Sequence, residues 1–351
     1  MKKYLTFMKA CTFVLASALM IGFISCSEDD EDKINEILDS IVNFEGQTAT
    51  YNAGDMPSAT DDTQLGTVTM NTQALAGGAS FITINSQENF EAFYVAMKGQ
   101  HGYFRVTPKS KTFDEHTNTY TYTMVMNFSQ NFNATVVVVI SGVKRDGDVS
   151  IPQETEIEFV ESQTADLDIK LVFENAKDVD LHLYTPSERH IYYGNRGDYI
   201  TDEEGNYITD EEGNKKMYGL DHDSNASCRI DNLNNENIFI PTKFLEAGTY
   251  TVKVNMYSNC DRTISTSWKL WVRFGGQLIR NELEHGSNPA EGVYPVGADN
   301  GDHTEVFKFT LSERQVGAAR IKAACLPNFR PIPPTEMDLI KMEQEAIDAT
   351  L

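Results

Sequence analysis

Two short aspartate pairs are the residues best placed to do chemistry. Asp178-Val179-Asp180 and Asp221-His222-Asp223 each set two carboxylates two positions apart. Strand positions i and i+2 point to the same side, so each pair repels itself unless a cation or base lies between its members. Glu236 and Asn237 follow with more oxygens, and Asn195 offers an amide. Ca²⁺ takes about six to eight oxygen ligands, carboxylates and carbonyls included. The spacing therefore points to a structural Ca²⁺ site built from Asp178, Asp180, Asp221 and Asp223, with Asn195 or Glu236 assisting. The same aspartates could instead cap turns by accepting loop N–H groups. No EF-hand loop is present.

Catalytic constellations are not visible. The histidines are His101, His116, His182, His190, His222, His285 and His303. None shows the His-Glu-x-x-His spacing of a zinc protease, and no Gly-x-Ser-x-Gly elbow occurs. Glycoside hydrolysis needs two acids at a set separation, but among 52 acidic residues a pair is no signal. The chain is expected not to be an enzyme. Aromatic side chains offer a second kind of site. Tyr192 and Tyr193 are the candidates for stacking on a ligand. Trp268 and Trp271 are three apart, so on a strand they face opposite sides and one of them belongs to a core.

Of the five cysteines, Cys228 and Cys260 form the preferred disulfide because they lie in one domain. Three buried free thiols at Cys228, Cys260 and Cys325 are the alternative, since sequence cannot assign pairing. Cys11 and Cys26 belong to the N-terminus. There Lys2, Lys3 and Lys9 precede the apolar run Cys11–Ile24, and Ser25-Cys26 follows. A basic head, a short apolar stretch and a small residue read as a secretory signal. The cysteine directly after that small residue resembles the lipidation site of bacterial lipoproteins. That resemblance implies removal of residues 1–25, acylation of Cys26 and attachment to a membrane. The acidic run Ser27–Lys33 resembles the surface-export signal of lipoproteins in the Bacteroides group, which implies an outer-membrane, cell-surface location. Alone, the run reads as a solvated tether, because like charges extend a chain.

Formal net charge is −23, and loss of the lysines in residues 1–25 makes it more negative. Such acidity argues against nucleic acid as a partner, since phosphate binding needs a basic face. The remaining length suits about two domains.

Residues 44–160 carry short runs rich in Val, Ile, Thr, Tyr and Phe, at Thr67–Met70, Ser80–Asn85, Tyr103–Thr107, Thr119–Phe128, Ala134–Ser141 and Glu154–Val160. Turn residues divide them, which suggests a sandwich. Glu88–Met97 is ambiguous between helix and strand, and the alternation of Phe93, Val95 and Met97 favours strand. Residues 161–312 continue with Leu167–Phe173, Val179–Tyr184, Thr249–Met256, Trp268–Phe274 and Glu305–Leu311. Inside them the octad Tyr-Ile-Thr-Asp-Glu-Glu-Gly-Asn occurs twice in tandem, at 199–206 and 207–214. Two copies are too few for a solenoid. The expectation is an acidic hairpin over 197–218, either a recognition or cation-binding finger or a tolerated insertion. Apolar spacing predicts a short amphipathic helix over Ile34–Val42. A Pro-rich linker, 326–334, leads to Thr335-x-x-Asp338, which resembles a capping box and predicts a helix to the C-terminus.

Several segments, in order, carry a wider resemblance. They are Asp178-Val-Asp-Leu-His-Leu183 with Pro186, His190-Ile-Tyr-Tyr-Gly-Asn195, Gly219-Leu-Asp-His-Asp223, Glu236-Asn-Ile-Phe-Ile-Pro241, and Gly248-Thr-Tyr-Thr-Val-Lys-Val-Asn255. Residues about 164–311 resemble the YfaP-like β-sandwich family of bacterial exported proteins. The octad duplication is the main departure from it. The resemblance implies a fold and no activity.

The chain is therefore expected to be all-β, with two Ig-like β-sandwich domains in tandem (44–160 and 161–312) and short helical extensions in the tether 26–43 and in 313–351. Its expected role is a surface-anchored, non-catalytic module that binds an extracellular glycan or protein. A structural or accessory subunit of an envelope complex is the alternative.

Overall fold

A computed structural model describes residues 38–325, apart from 39, 45, 46, 203, 211 and 212, with side chains up to residue 320. The signal, Cys26, the acidic tether and the helix expected over 335–351 lie outside these residues. Of the helix expected over Ile34–Val42, Leu38, Ser40 and Ile41 are helical and Leu38 is buried.

The protein is all-β, of the β-sandwich class. Residues 42–160 supply β1 (Val42–Asn43), β2 (Ala49–Asn52), β3 (Thr67–Met70), β4 (Gln73–Leu75), β5 (Ala79–Ser86), β6 (Phe90–Met97), β7 (Tyr103–Val106), β8 (Ser110–Asp114), β9 (Thr119–Phe128), β10 (Val136–Lys144) and β11 (Gln153–Val160). They form one sheet in the order β1-β9-β5-β3, with β8 on β9, and another in the order β2-β7-β6-β10-β11-β4. Residues 167–311 supply β12 (Leu167–Phe173), β13 (Asp178–Tyr184), β14 (His190–Ile191), β15 (Gly197–Tyr199), β16 (Met217–His222), β17 (Asn235–Ile240), β18 (Gly248–Ser258), β19 (Thr266–Phe274), β20 (Gln277–Leu278), β21 (Ala290–Tyr294) and β22 (Asp302–Leu311). Here the orders are β15-β16-β17-β12-β19-β20, with β21 on β19, and β14-β13-β18-β22.

Each half of the chain closes its own pair of sheets over its own core. Ile82, Ile84, Tyr122, Met124 and Met126 from one sheet meet Phe93, Val95, Phe104, Val138 and Ile140 from the other. In the second half, Leu167, Ile169 and Leu171 meet Leu181, Val252, Val254 and Phe307. Alternation along each strand sends every second residue inward, and those positions are apolar.

The two halves are docked. Ala79, Phe81 and Val125, on the outward face of β5 and β9, bury themselves against Val172 and Trp271 on β12 and β19. Trp268, three residues from Trp271, points the other way into the second core. Both tryptophans are buried, one within the second half and one between the halves.

Two departures from the sequence reading stand out. A helix over Glu313–Cys325 runs directly before the Pro-rich stretch, where the sequence marks no element. Val316 enters the second core and the Arg320 guanidinium donates to Leu245 O at 2.9 Å. Ser312 and Gln315 cap the helix through reciprocal side-chain bonds, a capping-box spacing that the sequence carries.

The octad duplication also folds differently from a simple hairpin. Its two Tyr-Ile-Thr arms and a third arm, Lys215-Lys216-Met217, form a closed ring. Ile208 N donates to Ile200 O, Lys216 N to Ile208 O, and Ile200 N to Lys216 O. Thr201 pairs with Tyr207, Thr209 with Lys215, and Met217 with Tyr199. Asp202 and Asp210 close equivalent turns by accepting from Asn206 and Asn214. Gly197 and Gly219 face each other where this ring joins the sheet. A Cβ on Gly219, at φ +123°, would lie 2.1 Å from Arg196 O, so no other residue fits there without displacement.

Candidate functional site

β13 divides its residues by alternation. Val179, Leu181 and Leu183 fill the second core, while Asp178, Asp180, His182 and Tyr184 point to the opposite side. Along its first half, β13 pairs with β18 on one edge and lies beside β17 on the other. There the Leu181 N–H donates to Glu236 Oε2 at 2.6 Å.

This junction gathers a carboxylate triad. One oxygen from each of Asp180 (β13), Asp223 (just past β16) and Glu236 (β17) lies within 4.8 Å of the others. Asp180 is 2 % exposed and Glu236 1 %. Asp180 Oδ2 and Glu236 Oε1 are fully buried with no hydrogen-bond partner. Buried polar atoms are nearly always satisfied, so two orphaned carboxylate oxygens on members of one buried triad mark a place for a positive ligand. Oxygens about 2.3–2.6 Å from one Ca²⁺ can be spread over nearly twice that distance, so the spacing suits a single ion.

The electrostatics agree with the geometry. Burial raises the Asp180 carboxyl to about 7, helped by the Asp223 charge. Asp178 stands behind the triad with Oδ2 accepting from Ser227 N at 2.8 Å, and is also raised to about 7 by burial and then by Asp180. Burial, followed by the Asp180 charge, drives Glu236 well above the usual carboxylate range. Asp223 is raised by burial against the opposing pull of Arg196. Four carboxyls therefore resist ionisation unless a cation shares their space.

Asp221 and Asn195 do not join them. Asp221 Oδ2 accepts from Gln163 N at 2.8 Å and Oδ1 from Asn237 Nδ2 at 2.7 Å. It caps the segment linking the two halves. The pairing of β16 with β17 slips between Leu220 and His222 and β16 ends there, so the i, i+2 rule that would align Asp221 with Asp223 no longer applies. Asn195 Nδ2 donates to His190 O at 2.8 Å, and its backbone pairs with Tyr192 to close a tight turn.

That turn carries the aromatic candidates. Tyr184, His190 and Tyr192 form a slab, with centroids 4.2 and 4.0 Å apart and planes within 10°. His182 Nδ1 and His190 Nε2 share a 2.8 Å hydrogen bond. Burial holds both imidazoles down at about 4, with Lys253 opposing His182 and His182 opposing His190. Gly194 sits so close to the Tyr192 ring that a Cβ there would lie 2.8 Å from it. Tyr192 is thus half-buried, stacked on His190 and close to Gly194. Tyr193 is 40 % exposed and meets Tyr257, also 40 % exposed, edge-on at 5.0 Å. Tyr257 escaped the sequence reading because a strand-end tyrosine carries no marker of its own. Its pairing with Tyr193 arises only where β18 passes the turn.

Cys228 and Cys260 are joined in a disulfide, with Cα atoms 5.6 Å apart. It ties the loop after β16 to the end of β18. No protein-family model matches this chain, and no curated protein is similar to it.

Proposed function

We propose that the chain is a lipid-anchored surface protein whose second half is a Ca²⁺-stabilised module that binds an extracellular glycan or protein without catalysis. Anchoring through Cys26 at the outer membrane rests on the N-terminal sequence, and nucleic acid is disfavoured by the acidic charge. We read both halves as Ig-like sandwiches, the second related to the YfaP-like family. The observation that carries the cation is the pair of unpartnered buried oxygens on Asp180 and Glu236, two members of a triad whose third carboxylate is Asp223. The donor set is all oxygen, which suits a hard cation such as Ca²⁺. Carboxylates this buried are poorly placed to meet a substrate, which favours a structural ion over a catalytic one. Tyr193 and Tyr257 supply the exposed surface beside it.

Titration calorimetry on the full chain tests the cation, and a glycan and host-protein array tests the ligand. We expect one Ca²⁺ per chain, abolished in Asp180→Asn/Glu236→Gln, and array binding that falls at least tenfold in Tyr193→Ala/Tyr257→Ala. Unchanged Ca²⁺ uptake in the first variant would remove the triad from the account. Unchanged array binding in the second would remove the tyrosine pair.

A further inference from the structure

The loop that joins two members of the triad also holds the first half of the chain. It begins at Asp223 and ends at Glu236, and five of its residues other than glycine have positive φ: Asn225, Ser227, Cys228, Asn232 and Asn234. Such conformations persist only where surroundings over-determine them. The surroundings here are buried side-chain amides. Asn225 Nδ2 donates to Lys177 O at 2.9 Å and to Asn234 Oδ1 at 2.7 Å. Asp231 is held from both sides by Asn225 and by Ser224.

The same network then crosses to the first half. Asn234 Nδ2 donates to Asn71 Oδ1 at 3.0 Å, and Asn71 Nδ2 returns a bond to Leu233 O at 3.1 Å. Asn235 Oδ1 accepts from Ala79 N at 3.3 Å, and its Nδ2 donates to Ala79 O at 3.2 Å. Asn71, Asn225, Asn234 and Asn235 are all buried. Toward the triad, Ser227 N caps Asp178, and Asn235 is the residue next to Glu236. On the far side of β16, Asp221 and His222 hold the linker through Gln163 N and Glu161 O.

We infer that occupation of the Asp180–Asp223–Glu236 site by a divalent cation sets the conformation of loop 223–235 and, through Asn71 and Ala79, how firmly the two halves dock. The inference rests on the cation reading above. With no ion, Asp223 and Glu236 at the two ends of the loop repel each other and Asp180 once they ionise. With one, the ends are drawn together, and Leu233, Asn234 and Asn235 are held in the register that Asn71 and Ala79 require. Contiguity alone does not establish coupling, so the test must read the first half directly.

Amide hydrogen exchange on the full chain does so, in EDTA and in saturating Ca²⁺. The expected result is at least tenfold slower exchange with Ca²⁺ in loop 223–235 and at the Ala79 amide. In Asn71→Ala the loop should keep its Ca²⁺ response while residues 71–80 lose most of theirs. Asn71→Ser serves the same purpose should the alanine variant fail to fold. Ca²⁺ uptake with slowed exchange in the loop but none at residues 71–80 of the wild type would overturn the coupling and leave the cation site standing. Absence of Ca²⁺ uptake would overturn both.

Discussion

Raising the pH of the chelated protein from about 5 to about 7.5 should weaken it, and Ca²⁺ should restore it. Asp180 is 2 % exposed and its carboxyl is raised from 3.8 to about 7, by burial first and the Asp223 charge second. Asp178 is raised to about 7 by burial and by Asp180. The two titrate together, so the magnitude is worked for a single proton. The folded chain holds that proton more tightly than the unfolded chain. Its stabilisation is complete below the unfolded value of 3.8 and is lost as pH rises through about 7. At about 1.4 kcal/mol per pH unit, the roughly two units between pH 5 and the folded value near 7 make the loss from pH 5 to 7.5 about 2.5 kcal/mol. Ca²⁺ at a hundredfold excess over Kd returns about 2.7 kcal/mol, or roughly 5–10 °C in Tm for a domain of this size. Calorimetric melts at both pH values, with EDTA or Ca²⁺, measure this. Other acids titrate too, so Asp180→Asn isolates the effect. Near pH 7.5 in EDTA it should melt above wild type, and Ca²⁺ should not move it. Identical pH profiles for the two proteins, with equal Ca²⁺ responses, would refute the reasoning.

Two further outcomes follow from packing. Reduction of Cys228–Cys260, which spans a sequence separation of 32, should cost roughly 3–4 kcal/mol on a loop-entropy account, and a melt with and without reductant checks it. Trp271→Ala empties the largest side chain from the junction between the halves. It should cost roughly 3–5 kcal/mol and split one cooperative transition into two. A single transition at the wild-type Tm would mean that the halves are coupled elsewhere.

Strand positions were largely legible because burial on one face leaves a period of two in the sequence. Thr67–Met70 and Thr119–Phe128 emerge with the expected ends, and the ambiguous Glu88–Met97 contains a strand from Phe90. β17 was harder to read. Glu236 and Asn237 interrupt its apolar run, and both are buried because the carboxylate junction and the linker receive them. The helix at Glu313 was missed although Ser312 and Gln315 carry its cap, because the prolines downstream drew the expectation of a linker.

The sequence by itself determined the all-β class, the alternation that turns Asp178 and Asp180 away from the core, and the doubled octad, because each depends on spacing along one strand or loop. It could not decide which oxygens meet. Asp221 and Asp223 look equivalent in the chain, and only the slipped pairing of β16 sends one to the linker and the other to the triad. Nor could it foresee that Glu236, 56 residues from Asp180, would bond to the Leu181 N–H on β13. Contacts between strands of different sheets depend on how the sheets stack, and that is decided by the packing of the whole core.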